Sequence, residues 1–135
     1  MADLPSQYKG DKLFKGDLDW WHNAVVDEWS HESDHDVIGY RKSADLLFDH
    51  VKRRPQDRHY LVFPIVFLSR QYLELRMKDI LTGGYKLLGK KGKYPGTHNL
   101  CDLWSKCRPV LERYIASAQL KSMEKYIREF SKRDP

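Results

Sequence analysis

Four side chains near the middle of the sequence have the types and spacing needed for acid–base or phosphate chemistry. Arg70, Glu74 and Lys78 are four residues apart, so they would share one line on a helix. His98 follows at the predicted head of a later helix. If the two helices pack side by side, Glu74 would orient a basic group and Arg70 would bind a phosphate through two hydrogen bonds. His98 would then serve as a general base or a phosphate contact, so we predict a catalytic site of His98, Arg70 and Glu74.

The alternative for these residues is structural. Charges four apart on a helix are commonly solvated ion pairs, each worth about 0.2–0.5 kcal/mol. A histidine beside a helix start also packs on its neighbours in many proteins, here on Leu103 or Trp104.

Lysines on and after the same helix form a second candidate site, for an anionic ligand. The predicted members are Lys78, Lys86, Lys90, Lys91 and Lys93. Tyr85 and Tyr94 flank the lysine-rich loop and could stack on a base while the lysines follow a phosphate backbone. No phosphate-loop pattern is present. The alternative is a mobile, solvated loop.

A third group combines arginine and histidine around Pro55. Arg53 and Arg54 precede His59 by five and four intervening residues. The group falls in a turn between two predicted helices, where clustered basic residues are usually solvated.

A fourth group has metal-ligand residue types but lies in a polar break between helices. Its members are His31, Glu32, Asp34, His35 and Asp36. Asp34 and Asp36 are of the type that caps a helix, so we interpret the segment as a capping loop and predict no metal site. Cys101 and Cys107 are six residues apart, cannot bridge within one helix, and are expected to be reduced thiols. No cofactor is predicted.

Composition sets the class of protein. The chain has 135 residues, 41% of them hydrophobic and 32% charged, with a net charge of +5 and a pI near 9.2. These values describe a globular protein with a preference for anionic partners. The longest apolar run, from Tyr60 to Leu68, is interrupted by Pro64 and too short to span a bilayer. The N-terminus lacks a secretion-signal pattern, so a cytoplasmic location and no membrane contact are expected.

The elements that must position these residues are helices. Residues 1–36 are expected to form an arm with a short helix, in which Leu18, Trp21, Val25 and Trp29 are helically spaced. The remaining residues, 37–135, form the predicted helical domain. Its first helix runs from Val37 to about Arg54 and is ended by Pro55, with one apolar stripe: Val37, Tyr40, Ala44, Leu47, Phe48 and Val51.

Three further helices are predicted after Pro55. The next begins near Asp57 and stops at Gly83-Gly84, and its first half is apolar on all sides, which indicates burial. Thr97 or Asn99 caps another, with a kink expected at Pro109. Its apolar stripe is Leu100, Leu103, Trp104, Cys107, Leu111, Tyr114 and Ile115. A last short helix carries Met123, Tyr126, Ile127 and Phe130. No segment alternates as a strand, so we predict an all-α fold, an antiparallel bundle of four to five helices.

Three segments resemble the HEPN superfamily of helical-bundle proteins. They are Tyr-Arg-Lys-Ser-Ala-Asp-Leu-Leu at 40–47, Pro-Ile-Val-Phe-Leu-Ser-Arg-Gln-Tyr-Leu-Glu-Leu-Arg-Met-Lys-Asp-Ile-Leu at 64–81, and Thr-His-Asn-Leu-Cys-Asp-Leu-Trp at 97–104. The resemblance covers roughly residues 37–130. It implies a helical bundle that often forms a homodimer, binds or cleaves RNA, and occurs in toxin–antitoxin and phage-defence systems. An antitoxin is then an implied partner.

The family's ribonuclease signature is an arginine, four to six residues, and a histidine on a late helix. No histidine follows His98, and Gln71 stands where a histidine would follow Arg70. The resemblance therefore implies binding of RNA, a nucleotide or another anionic partner without the nuclease motif. A ribonuclease toxin and a non-catalytic dimerisation module are the alternatives.

Overall fold

A computed structural model describes residues 35–89 and 96–132 of the chain. These residues form four α-helices, a 3-10 turn at Pro55–Asp57 and no strand: α1 is His35–Arg53, α2 is Arg58–Leu87, α3 is Leu100–Leu111 and α4 is Ser117–Lys132. All of them belong to one compact unit, Asp34–Pro135. The predicted all-α class is therefore confirmed for the described residues. The predicted short helix around residues 18–29 lies outside them, and the predicted boundary at residues 36–37 stays a prediction.

α1 and α2 pack on each other on either side of the Pro55 turn. α1 has Asp36 in its first turn and basic side chains in its last, the order that the helix dipole favours. Val37 and Ala44 are buried, whereas Phe48 of the same predicted stripe is exposed. At the turn, His50 Nε2 and Asp57 Oδ2 are 2.7 Å apart and join the end of one helix to the start of the next. The predicted end of α1 before Pro55 is confirmed.

α2 is a 30-residue helix that continues through Gly83-Gly84 to Leu87, so the predicted stop at the glycines is wrong. Gly84 is buried because α3 approaches it closely: a Cβ there would lie 3.2 Å from Val110 Cγ1. The helix ends instead at Leu87, and Gly89, two residues later, has a φ of 65° in the left-handed region that glycine tolerates. The Gly89 N–H donates to the Lys86 carbonyl at 3.1 Å, which closes the last turn.

α3 begins at a side-chain cap. Asn99 Oδ1 accepts hydrogen bonds from the backbone N–H groups of Cys101 and Asp102, at 2.9 and 3.1 Å. Of the two predicted caps, Asn99 is the one observed. The helix ends at Leu111, two residues after Pro109, so the predicted stripe stops there and Tyr114 is exposed.

The core joins the second half of α2 to α3 and α4. Its buried members are Met77, Leu81, Leu100, Leu103, Trp104, Cys107, Leu120 and Ile127. Leu120 was not predicted, whereas the predicted α4 residues Met123 and Tyr126 are exposed. The Cys107 thiol donates to the Met77 carbonyl at 3.2 Å, and burial raises its pKa to about 12, so it stays protonated. Both cysteines are free, as predicted, although Cys101 is only half-buried. No described helix is long and apolar enough to cross a membrane.

Candidate functional site

Glu74 is the centre of a polar cluster between α2 and the head of α3. It is 1% exposed and is the one buried charged residue in the described ranges 35–89 and 96–132. Its Oε1 accepts from Lys78 Nζ at 2.7 Å and lies 2.8 Å from His98 Nδ1, while its Oε2 is 3.3 Å from Arg70 Nη1. The expected proximity of these four side chains is therefore observed.

The pKa of Glu74 is set by opposing effects. Burial alone would raise it, because a charged carboxylate is costly away from water. Hydrogen bonds from Lys78 and His98, and the charges of the same two groups, outweigh burial and hold the pKa below its ordinary value of 4.5. Glu74 is consequently an anion near neutral pH, and the basic groups around it are its compensation.

His98 is bound twice, through its ring and through its backbone. The ring nitrogen Nδ1 is held by Glu74, and the carbonyl oxygen accepts from Arg70 Nη2 at 2.9 Å. Its side chain is nevertheless 76% exposed. With Nδ1 donating to the carboxylate, the other nitrogen, Nε2, faces solvent as a proton acceptor in the neutral ring or a donor in the charged ring. His98 is therefore the member of the cluster that a ligand can reach.

Arg70 and Lys78 are largely covered, with side chains 17% and 11% exposed. Both terminal nitrogens of Arg70 bind within the protein, one to Glu74 and the other to the His98 carbonyl. These contacts indicate that Arg70 positions Glu74 and His98. They leave neither terminal nitrogen for the predicted pair of hydrogen bonds to a phosphate. The Lys78 ammonium likewise supports the carboxylate, so its predicted part in anion binding would be indirect.

Local sequence explains the geometry of the cluster. The spacing of four along α2 brings Arg70 and Lys78 to either side of Glu74. The Asn99 cap fixes where α3 begins, and Thr97 Oγ1 accepts from the Asn99 N–H at 3.1 Å. His98 is held between these two capping residues, and this places its ring over the buried carboxylate.

Of the other predicted candidates, those within the described residues do not join this cluster. Lys86 is exposed in the last turn of α2, and Lys90, Lys91 and Lys93 lie outside the described residues. Arg53, Arg54 and His59 are exposed around the Pro55 turn, where Arg53 Nε donates to the Asp49 carbonyl at 3.2 Å. The metal-type group at residues 31–36 lies outside the described residues except for an exposed Asp36 and the backbone of His35.

An unexpected surface precedes the cluster on α2. Tyr60, Phe63 and Phe67, hereafter the aromatic row, are spaced three and four apart and are 80%, 79% and 60% exposed. The prediction that this half of α2 is buried on all sides is wrong for these residues, because α3 packs on the second half of α2 and α4 packs on α3. Their common line was visible in the sequence; their exposure was not.

Comparison of the chain with family models, with curated proteins and with solved structures returns no match. The HEPN resemblance therefore remains a prediction, and the function has to be argued from the site.

Proposed function

We propose that the protein is a HEPN-like helical domain, arranged as an antiparallel bundle, that binds RNA or another phosphate-bearing partner at His98. The observation that supports it is the exposed imidazole held by a buried carboxylate. When charged, this ring presents Nε2–H to solvent, where it can donate a charge-assisted hydrogen bond to a phosphate oxygen. Glu74 holds the ring through Nδ1, and Arg70 holds the His98 carbonyl oxygen.

Charge adds support for an anionic partner. Residues 58–73, the part of α2 that leads to the cluster, contain no Asp or Glu. Apart from two tyrosines, the ionisable side chains in that stretch are Arg58, His59 and Arg70. A polyanion approaching His98 along α2 would therefore meet no carboxylate of α2 itself between Arg58 and Leu73.

A binding titration tests the proposal. Fluorescence anisotropy with a labelled oligouridylate, repeated between about 50 and 200 mM salt, should show affinity that falls as salt rises. The variant His98→Gln should bind about tenfold more weakly, the value of one charge-assisted hydrogen bond. His59→Gln, which changes an exposed histidine at the start of α2, is the control and should bind like wild type. Equal affinity of wild type and His98→Gln would contradict the proposal.

Ribonuclease activity is the second candidate, and the Glu74–His98 contact favours it. A carboxylate on Nδ1 fixes the tautomer that leaves Nε2 as a base, as proton removal from a ribose 2′-hydroxyl requires. Against it, both terminal nitrogens of Arg70 are already engaged. Expression of wild type, His98→Ala and His59→Ala in cells, with toxicity and RNA cleavage as the readouts, tests this candidate. Toxicity and RNA cleavage lost only with His98→Ala would establish the nuclease, and toxicity that survives both changes would exclude both histidines.

A third candidate is homodimerisation through the aromatic row. The row carries no charge and could meet its own copy across a two-fold axis. Light scattering and melting at several concentrations test this, because the melting temperature of a dimer rises with concentration. Phe63→Ser/Phe67→Ser should reduce the mass to that of a monomer, whereas Tyr114→Ser, an exposed aromatic elsewhere, should not. A wild-type monomer at all concentrations would contradict dimerisation.

The cellular setting follows from the resemblance alone. A toxin–antitoxin or defence system is the proposed context, with an antitoxin as a further partner. Co-purification of the tagged chain with the product of an adjacent gene would support that partner.

A further inference from the structure

The outer surface of α4 carries a row of basic side chains that belongs to no site described above. Lys121, Lys125, Arg128 and Lys132, hereafter the basic row, are spaced four, three and four residues apart. At 3.6 residues per turn they share one face and extend over about 16 Å of helix. All four are exposed. One cation per helical turn is a regular linear array.

The basic row lies on the side of α4 that faces away from the core. Leu120 and Ile127 of the same helix are buried against α3, on roughly the opposite face. Leu120 and Ile127 are therefore already packed within the protein, and Met123 and Tyr126 are the large apolar side chains that α4 leaves exposed. Two such side chains are a smaller apolar face than insertion into a lipid surface requires, which disfavours a membrane as the partner.

Two acidic side chains flank the basic row, and both are engaged. Glu124 Oε1 accepts from Arg128 Nη2 at 2.7 Å, and its Oε2 accepts from Arg108 Nη1 of α3 at 2.9 Å. Glu129 Oε1 accepts from Lys132 Nζ at 3.2 Å. Glu124 thus orients Arg128 and ties α4 to α3. Four basic against two acidic side chains leave an excess of two positive charges, before Arg108 is included.

The uncompensated charge is concentrated at Lys121 and Lys125. Neither makes an ion pair with another residue in the described ranges, whereas Arg128 and Lys132 do. The row and its two flanking carboxylates line one open, shallow depression on the protein surface. An extended strand fits a linear, open and basic surface better than a compact ligand, which needs an enclosed pocket.

We propose that the basic row binds the sugar–phosphate backbone of a single-stranded nucleic acid, with Lys121 and Lys125 as its main contacts. Such contacts neutralise phosphates without reading bases, so the surface supplies affinity and no sequence preference. The site is on α4, and the proposed ligand contact at His98 is at the head of α3, so the two are separate sets of residues. The inference shares with the proposed function only the assumption that the ligand is a nucleic acid.

Salt-dependent binding of the full chain to a labelled oligouridylate tests the basic row. For single strands the slope of log K against log salt is about −0.7 per phosphate neutralised. Lys121→Gln/Lys125→Gln should therefore make the slope shallower by about 1.4 and weaken binding at low salt. Lys42→Gln/Lys52→Gln on α1 removes the same net charge and is the matched control, expected to keep the wild-type slope.

The pattern across variants separates this inference from the proposed function. A slope changed by the α4 pair and not by the α1 pair supports the basic row. Affinity lost with His98→Gln but unchanged by the α4 pair overturns the basic row and leaves the proposed function standing. If the α4 pair weakens binding and His98→Gln does not, the basic row is supported and the proposed contact at His98 is contradicted. Equal losses of RNA affinity in the α4 pair and the α1 pair also overturn the inference. So does a chain that binds phosphatidylserine vesicles and does not bind RNA.

Discussion

In the first half of α2, Phe63 and Phe67 are 79% and 60% exposed, whereas Glu74, further along the same line, is 1% exposed. The apolar part of the line is outside and the charged part is inside, the reverse of what side-chain polarity alone predicts. The difference follows from what packs on each half. The core that α2 shares with α3 begins at about Glu74, and in the described residues it does not include the aromatic row.

The buried carboxylate and the exposed aromatic side chains each carry a cost in free energy, but for different physical reasons. A buried carboxylate is stable only with partners, so Glu74 requires Lys78, His98 and Arg70 to be where they are. Exposed aromatic side chains impose no such requirement on their neighbours, but they leave apolar area in water. Buried ionisable groups and exposed apolar patches are both typical of functional sites.

The largest expected effect comes from removing the buried charge. Glu74→Ala deletes the carboxylate that Arg70, Lys78 and His98 share, and it should lower the free energy of unfolding by about 3–5 kcal/mol. Urea denaturation followed by circular dichroism measures it. Glu129→Ala on the surface of α4 is the control and should change stability by no more than about 0.5 kcal/mol. A Glu74→Ala protein as stable as the control would show that the cluster contributes nothing to the fold.

Acid should weaken the same centre in a defined window. Because the pKa of Glu74 is held below 4.5 in the folded state, its contribution is fully present above that value. The contribution is lost as pH falls below 4.5 toward the folded pKa. Glu124, whose pKa is also lowered, by its hydrogen bond with Arg128, loses its contribution in the same range.

Comparison of variants isolates the contribution of Glu74. Unfolding measured from neutral to acid pH should show a smaller loss of stability in Glu74→Gln than in wild type. Glu124→Gln should still show the part that belongs to Glu74. Identical acid profiles for wild type and Glu74→Gln would contradict the assignment.

Two adjacent glycines test where α2 is covered. Gly84 faces Val110 of α3, so Gly84→Leu should overpack the contact and cost about 1–3 kcal/mol. Gly83 has nothing near the position of a Cβ, so Gly83→Ala should stabilise the helix by about 0.5–1 kcal/mol. Thermal melts of the two variants should move in opposite directions. Movement in the same direction would place the α2–α3 contact elsewhere.

The smallest expected effect on stability is in the aromatic row. Phe63→Ala and Phe67→Ala remove side chains that are already mostly in water, so each should change the free energy of unfolding by no more than about 0.5 kcal/mol. Leu103→Ala in the core, expected to cost about 2–5 kcal/mol, provides the scale. A large loss of stability with Phe63→Ala would mean that the aromatic row is covered in solution. If that loss depends on protein concentration, a second copy of the chain covers it.

Local patterns predicted most of the helices. The break at Pro55, the Asn99 cap and the apolar face of α3 from Leu100 to Cys107 follow from proline chemistry, capping and helical periodicity. The proximity of Glu74 and His98 also followed, because a charged line within an apolar helix needs a polar partner across the packing surface.

The features that sequence reasoning missed depend on tertiary contacts. Gly83-Gly84 has the composition of a helix stop, but the approach of Val110 favours a continuous helix with a glycine at the contact. The aromatic row has the composition of a core, but α3 packs on the second half of α2 and leaves the row exposed. The basic row on α4 was visible in the spacing of its lysines; what the structure adds is that Leu120 and Ile127 place it on the outside.

His98 is attached to α2 at two points, one through its ring and the other through its carbonyl oxygen. Two anchors on one residue act as a clamp at the end of the connection between α2 and α3. Because both anchors are on one residue, separating the head of α3 from α2 would break the ring contact and the carbonyl contact together.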